Sequence, residues 1–259
     1  MIPVEELAKV LSPSGAYCGE IIVLTAYMDE SHDSGAKVFA VAGYIGSPAE
    51  WFELERHWAK RLSEDGIKCW HAADCESGFG EFKALSKPQR IALKTDLVSL
   101  TNSSNVVGFG TVMDLEDHRK ALAKPAGKKK IGKPYHMCLQ LTIITISRNV
   151  RNLPDIVAYV VDQQEEYSGY AKAVMDDFKK VNPLSAPKIG TLTYASKAAF
   201  VPLQVADNLA YECMKLLLNN LHDKERVERI AMTRMKKRLQ TIKLLDERAF
   251  DLILSDSGS

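Results

Sequence analysis

Ile21–Ile22–Val23–Leu24–Thr25–Ala26–Tyr27–Met28–Asp29–Glu30–Ser31 is an apolar run that stops on two carboxylates. It is short for a helix and carries Ile, Val, Thr and Tyr, so it reads as a strand buried on both faces. Its polar end then lies at the rim of a sheet. Open α/β sheets collect ligands there, because the strands fix the backbone while the loops leave room. Asp29 is therefore the first candidate for a functional residue. The same cluster, with Glu30, Ser31 and Asp33, also suits a plain turn, since Asp and Ser bond their own backbone well.

Working outward, residues 38–45 form a second apolar run after the turn residues Ser31–His32–Asp33–Ser34–Gly35, which predicts an antiparallel hairpin. Ser47–Pro48 then opens a helix to about residue 64, with Trp51, Leu54, Trp58 and Leu62 at helical spacing. A second helix is expected over 86–100 and a third strand over 106–113, ending on Asp114. Residues 119–133 hold seven Lys or Arg and no Asp or Glu, with Pro125, Gly127 and Gly132 among them, and read as a mobile basic loop. Residues 135–150 read as a helix. A second run of the opening kind, 156–161, ends on Asp162. A helix over 167–180, a strand over 189–194 and a strongly apolar helix over 201–220 follow, so strands and helices alternate as in parallel crossovers. Residues 3–11 suggest a short amphipathic helix, 223–250 a charged helix, and 255–259 a disordered tail.

The whole chain, 259 residues at 46% hydrophobic and 26% charged with a net charge of +1, has the composition of an ordinary globular protein. Five scattered cysteines without a CxxC pair argue against a disulfide framework and for a reducing, cytoplasmic setting. The first residues carry Glu5 and Glu6 where a secretory leader would carry positive charge, and no apolar run approaches the roughly 18 residues of a membrane span. A phosphate loop of the GxxxxGK[ST] type and a GxSxG elbow are both absent. Cys69, His71 and Cys75 are zinc-ligand types, but their spacing fits no common zinc module and a fourth ligand is not evident.

Three antiparallel strands followed by helix, strand, helix, strand and helix is the order of the ribonuclease H-like fold. There, acids at the first strand, the fourth strand and the last helix converge on divalent metal ions. Asp29, Asp162 and Asp207 stand at those three points. Asp207 is the most telling, because the stretch Leu203–Gln204–Val205–Ala206–Asp207–Asn208–Leu209–Ala210 is apolar and a buried carboxylate needs a partner.

Met28–Asp29–Glu30–Ser31, Trp70–His71–Ala72–Ala73–Asp74, and Ser196–Lys197 followed by Leu203–Gln204–Val205–Ala206–Asp207 together resemble the domain of unknown function 3800 family over residues 20–220. The family is similar to ribonuclease H-like nucleases and integrases. The resemblance implies a mixed α/β domain over 20–220 with a helical insertion at about 47–104, between an N-terminal helix and linker (1–19) and a basic C-terminal helix and tail (221–259). It implies a nuclease in which Asp29, Asp162 and Asp207 hold Mg²⁺ or Mn²⁺, with Glu30, Lys197 and His71 as further catalytic candidates. Carboxylates suit these hard cations, and two ions about 3.5–4 Å apart can stabilise both the attacking and leaving oxygens of a phosphodiester. One departure stands out: residues 135–150 lack the Glu such nucleases usually place there, with His136 and Gln140 as the nearest polar groups.

Two basic stretches, 119–133 and 226–243, make nucleic acid the expected partner, through Lys128, Lys129 and Lys130 and through Lys236, Lys237 and Arg238. The expectation is thus a metal-dependent phosphodiesterase on DNA or RNA. The alternatives are an inactive nucleic-acid-binding or partner-regulated module on the same fold, and a small-molecule phosphohydrolase. A protein partner or a homo-oligomer is compatible with each.

Overall fold

In the computed structural model, which describes residues 23–151, 156–163, 180, 186–222 and 227–255, the described strands form one mixed sheet. They are β1 (Val23–His32), β2 (Val38–Gly46), β3 (Val107–Asp114), β4 (Ile156–Asp162), β5 (Ile189–Ala195) and β6 (Leu239–Leu245). The order across the sheet is β5-β4-β1-β2-β3-β6. β1, β2 and β3 are successively antiparallel, and β4 and β5 run parallel to β1. This is the ribonuclease H-like arrangement expected from the sequence. The hairpin between β1 and β2 is tied by Asp33, whose carboxylate accepts from the backbone of Gly35, Lys37 and Val38 at 2.9, 2.8 and 2.7 Å. Asp33 is thus the turn residue, and Asp29 is left for another role.

Between β2 and β3 lies the helical insertion: α1 (Pro48–Glu64), α2 (Ala72–Ser77), a short 3-10 turn (Gly80–Ala84) and α3 (Lys87–Ser103). Ser47 caps α1 in a reciprocal box with Glu50, a device worth about 0.5–2 kcal/mol. The predicted stripe of Trp51, Leu54, Trp58 and Leu62 is the face that α1 buries. Trp58, Trp70 and Phe82 meet edge to face at 6.3 and 5.6 Å, in the core on one side of the sheet. Trp70 anchors the segment that leads into α2.

α4 (Leu115–Ala123), the four-residue α5 (Gly127–Lys130) and α6 (Pro134–Asn149) follow β3, and α7 (Val201–His222) follows β5. α7 packs on β1 and β2 on the tryptophan side, while α6 covers the opposite face with Cys138, Leu139, Ile143 and Ile146.

Two expectations are corrected. Residues 119–133 are not a mobile loop: Asp114 accepts from the backbone of Glu116 at 2.8 Å and of Asp117 at 3.3 Å, and this N-cap starts α4 directly from β3. The charged C-terminal helix is also replaced. α8 (Ile230–Met235) leads into β6, which pairs parallel to β3 at the sheet edge, and α9 (Glu247–Ser255) follows. The expected helices over 3–11 and 167–180, and the tail beyond Ser255, lie outside the described residues.

A second charge set, built on one buried glutamate, ties the insertion to the chain after α7. Glu212, fully buried on α7, is bonded by Lys94 of α3 and by Arg229, whose Nε lies 2.9 Å from its carboxylate. Arg229 also grips both oxygens of Glu76 on α2, at 2.8 and 2.5 Å. The hydrogen bonds from Arg229 hold the Glu76 carboxyl down at about 2 against an ordinary 4.5. A depressed carboxyl contributes stability above its unfolded value, and the contribution is lost as pH falls from about 4.5 towards 2. Urea midpoints for the native protein and Glu76→Gln are therefore expected to differ at pH 7 and to converge progressively as pH falls from about 4.5 towards 2. A constant difference would contradict the pairing.

Candidate functional site

Asp29 lies on the α7 face of β1, three residues before the strand ends at His32, because Tyr27 points into the tryptophan-side core and side chains alternate along a strand. β1 and β4 are in parallel register with Met28 opposite Val161, which sets Asp29 beside Asp162. Asp162 ends β4, and Val160, two residues earlier, packs on the same side. Asp207 arrives from above on α7. All three are buried, Asp29 completely.

The three carboxylates converge on the Lys197 ammonium. Lys197 Nζ lies 2.6 Å from Asp29 Oδ2, 3.0 Å from Asp207 Oδ1 and 3.2 Å from Asp162 Oδ2. The remaining oxygen of each carboxylate is held by a backbone amide. Glu30 N donates to Asp29 Oδ1 at 2.8 Å, Lys197 N to Asp162 Oδ1 at 2.8 Å, and Ala72 N to Asp207 Oδ2 at 2.6 Å. One oxygen of each acid is thus fixed by main chain and the other is aimed at a shared point.

The electrostatics follow from this packing. Burial pushes the Asp29 carboxyl well up; the Lys197 ammonium opposes that, and Asp207, Glu30 and Asp162 add to it. Burial works against the charge on Lys197, but the attraction of Asp207, Asp29 and Asp162 outweighs it and raises its pKa. Removing one member of a buried charge set costs about 3–5 kcal/mol when it strands the remaining charge.

Gln204, one turn before Asp207 on α7, orients the surroundings. Its side chain accepts from Trp70 N at 3.0 Å and donates to Lys197 O at 2.9 Å, clasping the insertion to the turn after β5. His71 sits at the mouth, 42% exposed, with Nδ1 3.2 Å from Asp74 Oδ2 and Nε2 3.8 Å from Asp207 Oδ1. Neither Gln204 nor the Ala72 amide was assigned a role from sequence. The available signal was Gln204 at three-residue spacing from Asp207 on an apolar helix.

Other candidates fall outside the cluster. Glu30 lies on the opposite face of β1, with Ala26 and Met28, and acts on Asp29 through its charge. Lys128, Lys129 and Lys130 are exposed on α5 behind the end of β3; Lys130 Nζ donates to Leu254 O at 2.8 Å. Lys236, Lys237 and Arg238 precede β6, three strands or about 14 Å across the sheet from β1, where Lys236 pairs with Glu228 and Arg238 with Asn102 O. The zinc-type residues are placed differently: Cys75 donates to Arg90 O and Cys69 to Lys197 O, and burial pushes both thiols up to about 11.

The donor set fits a hard divalent cation in chemistry, since three preorganised carboxylate oxygens share one target. The Lys197 ammonium occupies that target, and among the described residues no group of three His, Cys, Asp or Glu is spaced to hold a metal ion.

No family model matches the chain, and no curated protein matches it. Among solved structures it is similar to ribonuclease HII in its complex with PCNA from Archaeoglobus fulgidus, at 12% identity over 83% of this chain and 86% of that one, with a TM-score of 0.39. No described helix is long and apolar enough to cross a membrane.

Proposed function

We propose that the protein is a divalent-cation-dependent phosphodiesterase acting on nucleic acid, and that it belongs to the domain of unknown function 3800 family. One observation carries the reading: three carboxylates from β1, β4 and α7 each present one main-chain-fixed oxygen and one oxygen directed at a common cationic position. Buried acids crowded this closely oppose folding unless a cation joins them. Asp29, Asp162 and Asp207 would hold Mg²⁺ or Mn²⁺. Such an ion, when bound, polarises a phosphoryl oxygen and lowers the pKa of a water.

The chain's own groups prepare the rest. The amides of Glu30, Lys197 and Ala72 keep the acids oriented, so no reorganisation is needed as charge develops. Trp70 and the other buried aromatics of the insertion close one wall against water. His71, the most exposed member, faces the approach of a substrate and is positioned by Asp74. The exposed lysines of α5 are candidates for phosphate contacts.

The test is cleavage of single- and double-stranded DNA and RNA with Mg²⁺, Mn²⁺ or chelator, by the native protein and by Asp29→Asn. Cleavage that requires the cation and falls at least about 100-fold in the variant is expected, the size of losing one preorganised charged contact. Binding of these substrates without cleavage under any cation would replace this reading with that of a nucleic-acid-binding module.

A further inference from the structure

We propose that the acidic cluster is a single-cation site, and that a divalent ion and the Lys197 ammonium compete for its one position. The proposal rests on the cation-dependent reading above and adds how many ions the cluster takes and what regulates their entry.

Three observations carry it. First, only one oxygen of each acid is turned inward, and all three inward oxygens lie 2.6–3.2 Å from the same atom, Lys197 Nζ. The outward oxygens accept from the Glu30, Lys197 and Ala72 amides and point away from the shared position, so the three acids converge on one point and on no second one. Second, charge closes at one ion. Three aspartates and one lysine leave two negative charges, which one divalent cation neutralises and a second would overshoot by two. α6, the first long helix after β3, contains neither Asp nor Glu. Third, Lys197 cannot leave with its backbone. Its amide is bound to Asp162 and its carbonyl to Gln204, so the ion displaces only the flexible four-carbon side chain. The displaced ammonium stays within a side chain's length of the cluster, where it would meet a substrate phosphate.

The experiment counts Mn²⁺ bound per chain by calorimetry and by the loss of the free-ion paramagnetic resonance signal, on the full chain and on Lys197→Met, which keeps an unbranched side chain without charge. One ion per native chain is expected, and one ion bound at least about tenfold more tightly by the variant, because the competing charge is gone. If Lys197→Met does not fold without metal, acylation of Lys197 in the native protein, read by mass spectrometry, decides the matter. Saturating Mn²⁺ should then speed labelling severalfold by freeing the amine. Two ions per native chain, together with metal-dependent cleavage, would overturn this inference and leave the nuclease reading standing. A Lys197→Met affinity no higher than native, or, where that variant does not fold, labelling indifferent to Mn²⁺, would likewise overturn the competition. Absence of Mn²⁺ binding in both proteins would overturn this inference and the cation-dependent reading together.

Discussion

Asp207→Asn is expected to abolish cleavage and leave the fold nearly intact, whereas Asp207→Ala is expected to damage both. The asparagine keeps an oxygen for Ala72 N, now bonded at 2.6 Å, but removes the charge that faces Lys197 Nζ at 3.0 Å. Cleavage should fall by at least about 100-fold, while Asp29 and Asp162 still balance the ammonium, so no charge is stranded and the variant should fold. Alanine also removes the acceptor and leaves a buried N–H unmade, at a further cost of about 1–3 kcal/mol. Because Ala72 opens α2, that cost should appear as loosening of the insertion. Cleavage rates and urea unfolding of the two variants separate the charge from the hydrogen bond. Native cleavage by Asp207→Asn would remove Asp207 from the chemistry.

Gly43→Ala should have the largest effect on folding. Gly43 lies in β2 opposite Met28, and a Cβ there would stand 1.8 Å from Tyr27 O and 2.8 Å from Met28 Cα. These are main-chain atoms of β1 that cannot swing aside, so β1 and β2 would be forced apart at Met28, immediately before Asp29. A loss above about 4 kcal/mol is expected, a large share of the roughly 5–15 kcal/mol that holds a typical domain folded. Gly132→Ala is the control: only Met137 Cγ comes near, at 3.4 Å, so that variant should change stability by less than about 1 kcal/mol. Circular dichroism and denaturant midpoints of both variants make the comparison. A native midpoint for Gly43→Ala would contradict the close approach of the two strands.

The sheet and its acids were legible because both rest on burial. Apolar runs that reach Asp29 and Asp162 mark the two strands, although β1 continues past Asp29 to His32, and Asp207 stands out within an apolar helix. What joins the acids was less visible. Lys197 reads somewhat more readily as a solvated turn residue than as a site residue, since nothing local reveals that Gln204, seven residues on, binds its carbonyl while Asp162 binds its amide. The Ala72 amide carries no side-chain signal at all. The basic stretches misled for a different reason. Charge over 226–243 hid the weak alternation of an edge strand, although lysines are usual on such edges. In 119–133 the Pro and Gly residues that suggested a loop fall after α4 has ended at Ala123, and Asp114, which reads as a strand end, is also the cap that starts that helix.

On the proposed reading, Asp29, Asp162 and Asp207 form one cation site on which cleavage depends. That reading is tested most directly by a Mn²⁺ titration in which ion occupancy and cleavage of a labelled nucleic acid are followed on the same sample, for the native protein and Asp29→Asn. The native occupancy and cleavage curves should superimpose, chelator should erase both, and in Asp29→Asn both should shift to higher Mn²⁺ together. Native cleavage that persists in chelator, or occupancy that Asp29→Asn leaves unchanged, would contradict it.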